Sequence, residues 1–248
     1  MMHNSRVNII DPPQPWLGAS LKNSNGSTDN NWDKIKKKPV VWRSIGQSTQ
    51  QIEEALKPFR RAGLKIVRYS PFEKNIPEYQ GEDAIIRFYK DPEEYRDWNG
   101  ANPQIVNLSQ SLFGGENVPS RGDHMNLDTF KKVMKDLPWK IFGPNNGNAG
   151  EHNGGSLSFD DLKAMLRFNR VFFYVAAQPI SYTLALIEAM QTGIPIVTVG
   201  PELGNSIYKQ NTYEAHEILG GNGDARESGA GFWSDDVNTL RQYCQLLL

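Results

Sequence analysis

The spacing of apolar positions divides the chain into a polar opening stretch and two regions where short apolar runs alternate with helix-period segments. Residues 1–38 are rich in Asn, Ser, Pro and Gly, end in Lys36-Lys37-Lys38 and hold few positions that would anchor a core. That composition predicts a disordered tail. Order is expected to begin at Pro39-Val40-Val41-Trp42, an apolar run that stops at Gly46. Ser48-Thr49 then offers a helix cap, Ile52, Leu56 and Phe59 follow at helical spacing, and Gly63 ends the helix. Leu64–Tyr69 reads as a second strand closed by Ser70-Pro71, Asp83–Tyr89 as a third, and Pro92–Trp98 as a short acidic helix.

A polar stretch ending at Asn102-Pro103 marks a boundary, because the strand signal restarts at Gln104–Leu108. From there the alternation is regular. A Gly-rich loop at 113–122 leads to helix Leu127–Leu137, strand Trp139–Phe142 and the turn Gly143-Pro144-Asn145-Asn146-Gly147. Ser158-Phe159-Asp160-Asp161 opens the next helix, followed by strand Val171–Val175, helix Tyr182–Thr192 with Gly193 at its end, and strand Ile194–Val199. Two closing helices are expected at Tyr213–Leu219 and Asp235–Leu248. Continuous apolar strands alternating with helices predict a parallel sheet covered on both faces. The expected fold class is therefore α/β: a Rossmann-like, doubly wound domain over 102–248, a partial α/β lobe over 39–101, and the tail 1–38.

Charge and composition remove several function classes. The 27 Lys plus Arg nearly balance the 28 Asp plus Glu, which leaves no electrostatic pull toward nucleic acid or a membrane surface. Cys244 is the sole cysteine, so neither a disulfide framework nor a cysteine metal cluster is expected. No leader pattern and no run of 18 apolar residues is present, which places the expected protein in the cytoplasm with no integral membrane segment. His124, His152 and His216 share no ligand spacing, so no metal is expected. The chain has no P-loop and no Gly-x-Gly-x-x-Gly, which disfavours kinase and dehydrogenase chemistry.

In a doubly wound sheet, ligands bind beyond the carboxyl ends of the strands, where loops and helix N-termini present free N–H groups. Three loops qualify: Ser109–Gly122, Gly143–Gly155 and Ala176–Thr183. The third continues into Ile180-Ser181-Tyr182-Thr183-Leu184-Ala185-Leu186-Ile187-Glu188-Ala189-Met190, then Gly193-Ile194-Pro195 and a Val-rich strand. This segment resembles the donor-binding signature of the family 4 retaining glycosyltransferases (glycosyl transferases group 1), which have the GT-B fold.

The resemblance implies a set of roles. The helix N-terminus would face a nucleotide diphosphate, with N–H groups of Ser181, Tyr182, Thr183 and Leu184 on the phosphates and Glu188 on the ribose hydroxyls. Arg121-Gly122 stands where that family has Lys-Gly, so Arg121 would stabilise the departing nucleotide. Gly143 begins a turn similar to the one that follows the second strand of the donor half, and Asn205, after Gly200-Pro201, would line the sugar pocket. Gly46 and Gln47 end the first predicted strand and would belong to an acceptor-side cleft. The residues alone allow plainer assignments: an exposed helix carboxylate for Glu188, a solvated Arg121, and turn geometry for Gly143 and Asn205.

The sequence departs from that signature at three points. Ile180 replaces a second glutamate eight positions before Glu188, Ser181-Tyr182-Thr183 replaces Gly-Phe-Gly, and Gln110-Ser111 lies where an early arginine is usual. The implied activity is a metal-independent transferase that takes a nucleotide-sugar donor as substrate, needs no cofactor, and passes the sugar to an unknown acceptor (glycan, lipid or small molecule) with retention. A non-catalytic nucleotide-sugar-binding module and a sugar-nucleotide isomerase remain open beside it, since fold does not fix chemistry.

Overall fold

The computed structural model describes residues 8–10, 39–44, 48–177, 179–207, 210–221 and 229–248. They form two compact units, one reaching up to Arg87 and including Gln210–Thr212, the other beginning at Phe88.

The first unit is a parallel sheet ordered β1-β2-β3-β4, with β1 at Asn8–Ile10, β2 at Val40–Arg43, β3 at Lys65–Arg68 and β4 at Ala84–Ile85. Helix α1 (Gln50–Arg61) begins where the Thr49 side chain accepts from the Ile52 amide, satisfying one of the free donors of the first turn. Its apolar face carries Ile52, Leu56 and Phe59 onto Val40, Trp42, Leu64 and Ile66, which is the core of this unit. Two differences from the sequence expectation stand out. Strand β1 lies within the stretch expected to be disordered and pairs Asn8–Ile10 with Val40–Trp42; residues 11–38 of that stretch lie outside the described residues. Strand β4 is far shorter than 83–89, because the ladder ends where the Ile86 amide bonds the Arg68 carbonyl at 2.7 Å and β3 gives way to the Ser70-Pro71 turn.

A charged cluster is buried beside this core. The Arg68 guanidinium and the Glu53 carboxylate have fully buried side chains and meet as a two-pronged pair at 2.6 and 2.8 Å. The remaining valences are used as well: Arg68 donates to the Gly81 carbonyl, Glu53 accepts from the Gln80 amide at 2.8 Å, and the guanidinium lies over the Trp42 and Tyr79 rings. A buried ion pair is tolerable only when its other hydrogen-bonding groups are also satisfied. Next to it, Glu73 accepts from the Ser44 hydroxyl at 2.7 Å, while its Oε1 has no partner among the described residues. Burial pushes the Glu73 carboxyl up to about 7, against the lowering pull of Ser44 and of Arg68.

The second unit is a five-stranded parallel sheet ordered β6-β5-β7-β8-β9. Its strands are β5 (Asn102–Leu108), β6 (Trp139–Phe142), β7 (Asn169–Tyr174), β8 (Ile196–Val199) and β9 (Phe232–Ser234). The connecting helices are α2 (Pro92–Tyr95), α3 (Leu127–Met134), α4 (Phe159–Phe168), α5 (Leu184–Thr192), α6 (Pro201–Gly204), α7 (Ala215–Leu219) and α8 (Val237–Leu247). Central strand β7 buries Val171, Phe172, Phe173 and Tyr174. Gly193 ends α5 at φ 82°, a left-handed conformation that suits glycine, and its amide donates the last helical hydrogen bonds to the Ala189 and Met190 carbonyls.

Residues 88–101 pack with this second unit, although the sequence signal breaks only at Asn102. The Trp98 indole donates to the Asn169 carbonyl at 2.8 Å, and Arg167 donates to the carbonyls of Arg96 and Glu94. Strand β9 was expected as part of no element; it completes the sheet by pairing Phe232–Ser234 with Val197–Val199. Among the described residues no helix is long and apolar enough to cross a membrane.

The raised Glu73 carboxyl makes stability depend on pH. The unfolded side chain titrates near 4.5 and the folded one near 7, so the folded state binds the extra proton between those values. The corresponding stability is present below 4.5 and is lost as pH rises through 7, by about 3 kcal/mol. Urea unfolding should therefore show Glu73→Gln more stable than the native chain at pH 8, with the advantage disappearing near pH 5. An advantage that is constant across this range would show that Glu73 titrates alike in both states.

Candidate functional site

Parallel pairing of β5 with β6 and with β7 places the carboxyl ends of all three on one edge of the second sheet. The strand order changes direction between β5 and β7, since β6 lies on one side of β5 and β7 on the other. Chain connections leave in opposite directions at such a point and open a crevice there. The loops after these three strands, entered at Ser109, Gly143 and Val175, therefore share one edge, as the spacing of the motifs implies.

The first two loops are fastened together by one residue. Asn146 is 1% exposed; its side-chain amide donates to the Ser109 carbonyl at 2.7 Å and the Gly143 carbonyl at 3.1 Å, and its Oδ1 accepts from the Phe113 amide at 3.1 Å. The Ser111 amide bonds the Pro144 carbonyl at 2.9 Å, and the Arg121 amide bonds the Ser111 carbonyl at 2.7 Å. Gly143 sits at φ 122°, and a Cβ there would lie 2.5 Å from the Ser109 carbonyl oxygen, so only glycine allows the two loops to approach this closely. Arg121 is thereby fixed through its backbone, while its side chain is exposed and forms no ion pair among the described residues.

The third loop presents the N-terminus of α5. Ser181 and Tyr182 are buried, the Tyr182 hydroxyl accepts from the Phe88 amide at 3.3 Å, and the two rings meet edge to face at 5.5 Å. Thr183 is the N-cap, yet its side chain makes no capping hydrogen bond. The first-turn amides of Leu184 and Ala185 therefore are not taken by the cap, and Leu184 is exposed. Such amides, together with the positive end of the helix dipole, form an anion-binding surface. Ile180 is half-buried in this loop, three positions before Thr183.

Glu188 lies one turn into α5 and is not the exposed helix carboxylate that its residue type would favour. It is 6% exposed, and its Oε1 accepts from the Tyr95 hydroxyl at 3.0 Å and meets the Lys90 ammonium at 2.7 Å. Burial works against the Lys90 charge, but the hydrogen bond and charge of Glu188 outweigh it and hold the lysine above its ordinary range. Burial, and then the charge and hydrogen bond of the same carboxylate, raise the Tyr95 phenol. Sequence reasoning missed both partners. They lie more than ninety positions away, and no spacing rule connects α2 to α5.

The other expected site residues divide. Asn205 uses its amide inside the fold, accepting from the Tyr213 amide at 3.0 Å and donating to the Pro201 carbonyl at 2.8 Å. Gly46 and Gln47 lie outside the described residues. His152 stacks on Trp139 at 3.9 Å between ring centroids and bonds its carbonyl, which is a packing role. Among the described residues, no three His, Cys, Asp or Glu side chains gather as a metal site requires.

Asn146→Ala should destabilise the protein by about 2 to 4 kcal/mol, because three backbone groups, one buried and two part-buried, lose their partner at once. Urea unfolding measures the loss, and hydrogen exchange at the Phe113 amide should accelerate with it. An unchanged Phe113 amide would mean that the two loops are held together by other contacts.

No family model matches this chain, and no curated protein matches it either. Solved structures do. Anabaena Alr3699/HepE in complex with UDP and glucose superposes with a TM-score of 0.57 at 12% identity, over 85% of this chain and 62% of the other. A glycosyltransferase from Rickettsia africae ESF-5 gives 0.56 at 10% identity, over 96% of this chain and 66% of the other. The pneumococcal O-GlcNAc transferase GtfA in complex with UDP and GlcNAc gives 0.50 at 9% identity, over 94% and 51%. The chain thus spans less than two thirds of the length of each. At such identities the likeness is one of fold: parallel sheets flanked by helices, a Rossmann-like α/β architecture that this chain shares with the three.

Proposed function

We propose that the second unit holds the nucleoside diphosphate part of a nucleotide sugar, and that the protein is a retaining glycosyltransferase that uses such a donor without a metal. One observation carries this reading. The uncapped N-terminus of α5 opens at the sheet's switch point, and a carboxylate, Glu188, stands one turn behind it. In this reading the diphosphate lies against the first-turn amides of Leu184 and Ala185, where the helix dipole favours negative charge. Glu188 accepts a hydrogen bond from the ribose. Arg121, whose guanidinium is exposed on the neighbouring loop, reaches the leaving diphosphate and offsets the charge that grows there as the glycosidic bond breaks. These groups would provide the cationic field that other phosphate sites take from a metal. The complexes of HepE and GtfA with UDP make uridine diphosphate the first ligand to try.

Ile180 favours a second reading, a module that binds the nucleotide sugar without turning it over. The resembled signature has a carboxylate there, beside the donor sugar or the leaving phosphate, and a half-buried isoleucine supplies no charge to either.

Titration calorimetry with UDP tests binding. The native chain should bind, and Glu188→Gln should weaken the affinity roughly 10- to 100-fold, as expected when a charged acceptor to a ligand hydroxyl becomes neutral. Unchanged affinity would reduce Glu188 to a structural group. Turnover of UDP-sugars by the native chain at about 1 per second or faster would favour the transferase, and binding without turnover would favour the module.

A further inference from the structure

Glu188 has two partners, and both reach the same oxygen. Tyr95 donates to Oε1 from 3.0 Å, and the Lys90 ammonium pairs with the same oxygen at 2.7 Å. A glutamate head normally turns about its last torsion with little resistance. Two donors converging on one oxygen stop that rotation and fix the plane of the carboxylate. The donors are themselves immobilised. The Lys90 ammonium lies 5.7 Å from the centre of the Tyr95 ring and 5.1 Å from that of Phe159, and the Tyr95 ring meets Phe159 edge to face at 6.1 Å. Lys90 also compensates the carboxylate charge, so an anionic ligand approaching α5 meets a neutral pair and not a bare negative group.

We propose that Lys90 and Tyr95 are positioning residues that saturate Oε1 and turn Oε2 outward as the acceptor for a vicinal diol. The site thereby selects ribonucleoside diphosphates over analogues that lack the ribose hydroxyls. This inference rests on the reading of Glu188 as the ribose contact. It adds that the selectivity is set by two residues that need not touch the nucleotide.

The test is the ratio of affinities for UDP and for its 2′,3′-dideoxy analogue, measured by calorimetry on the native chain and on three variants. In a ratio, general effects on diphosphate binding cancel. The native chain should prefer UDP by roughly 10-fold or more, the scale of charge-assisted hydrogen bonds to a diol. Tyr95→Phe, which removes a single hydroxyl, should lower the preference several-fold. Lys90→Met should bring it close to one, and Lys90→Arg should keep most of it; should Lys90→Met fail to fold, Tyr95→Phe decides. A native preference that survives both Tyr95→Phe and Lys90→Met would leave Glu188 as the ribose contact and overturn the positioning role. No native preference would overturn the Glu188 reading and this inference together. Tighter UDP binding by the Lys90→Met variant would show that the ammonium blocks the carboxylate, which also overturns the proposal.

Discussion

Every strand of a parallel sheet delivers its following loop to the same edge, and the candidate site of this protein depends on that constraint. Because β6, β5 and β7 all run one way, the chain meets itself three times at one edge without any long-range signal in the loops. The order changes hand between β5 and β7, and at such a point in an open α/β sheet the departing connections separate. What the individual residues add is precision. Asn146 and Gly143 bring two of the loops within hydrogen-bonding distance, and the third feeds directly into α5.

Buried charge is used differently in the two units. The Arg68–Glu53 pair is closed: both side chains are fully buried, and both carboxylate oxygens and the guanidinium have partners. It locks α1 onto β3 and leaves nothing to offer a ligand. In the Lys90–Glu188 pair, by contrast, the ammonium and the Tyr95 hydroxyl meet the same carboxylate oxygen. That difference separates a structural pair from a candidate binding group.

Much of the fold was legible in the amino-acid sequence, since β5 to β8 are apolar runs with helix-period segments between them. The strands that escaped are short and lack that signal. Asn8–Ile10 is a three-residue strand in a stretch rich in Asn, Ser and Pro, and Phe232–Ser234 follows a glycine-rich stretch, so each gains its structure from the neighbouring strand it pairs with. The site was legible as a motif around Glu188, but its surroundings were not. Residue type favours an exposed glutamate, and only tertiary packing brings Lys90 and Tyr95 against it. The same packing explains why residues 88–101 belong with the second unit: Trp98 and Arg167 bind across a sequence gap that no local pattern reveals.

The central claim, that a nucleoside diphosphate lies at this edge, is tested most directly by hydrogen–deuterium exchange of the native chain with and without saturating UDP. The account predicts slower exchange at Thr183 to Leu186 and in the loop around Arg121, with the core strands of the first unit unchanged. Protection confined to other segments, or none at all when UDP is bound, would contradict it.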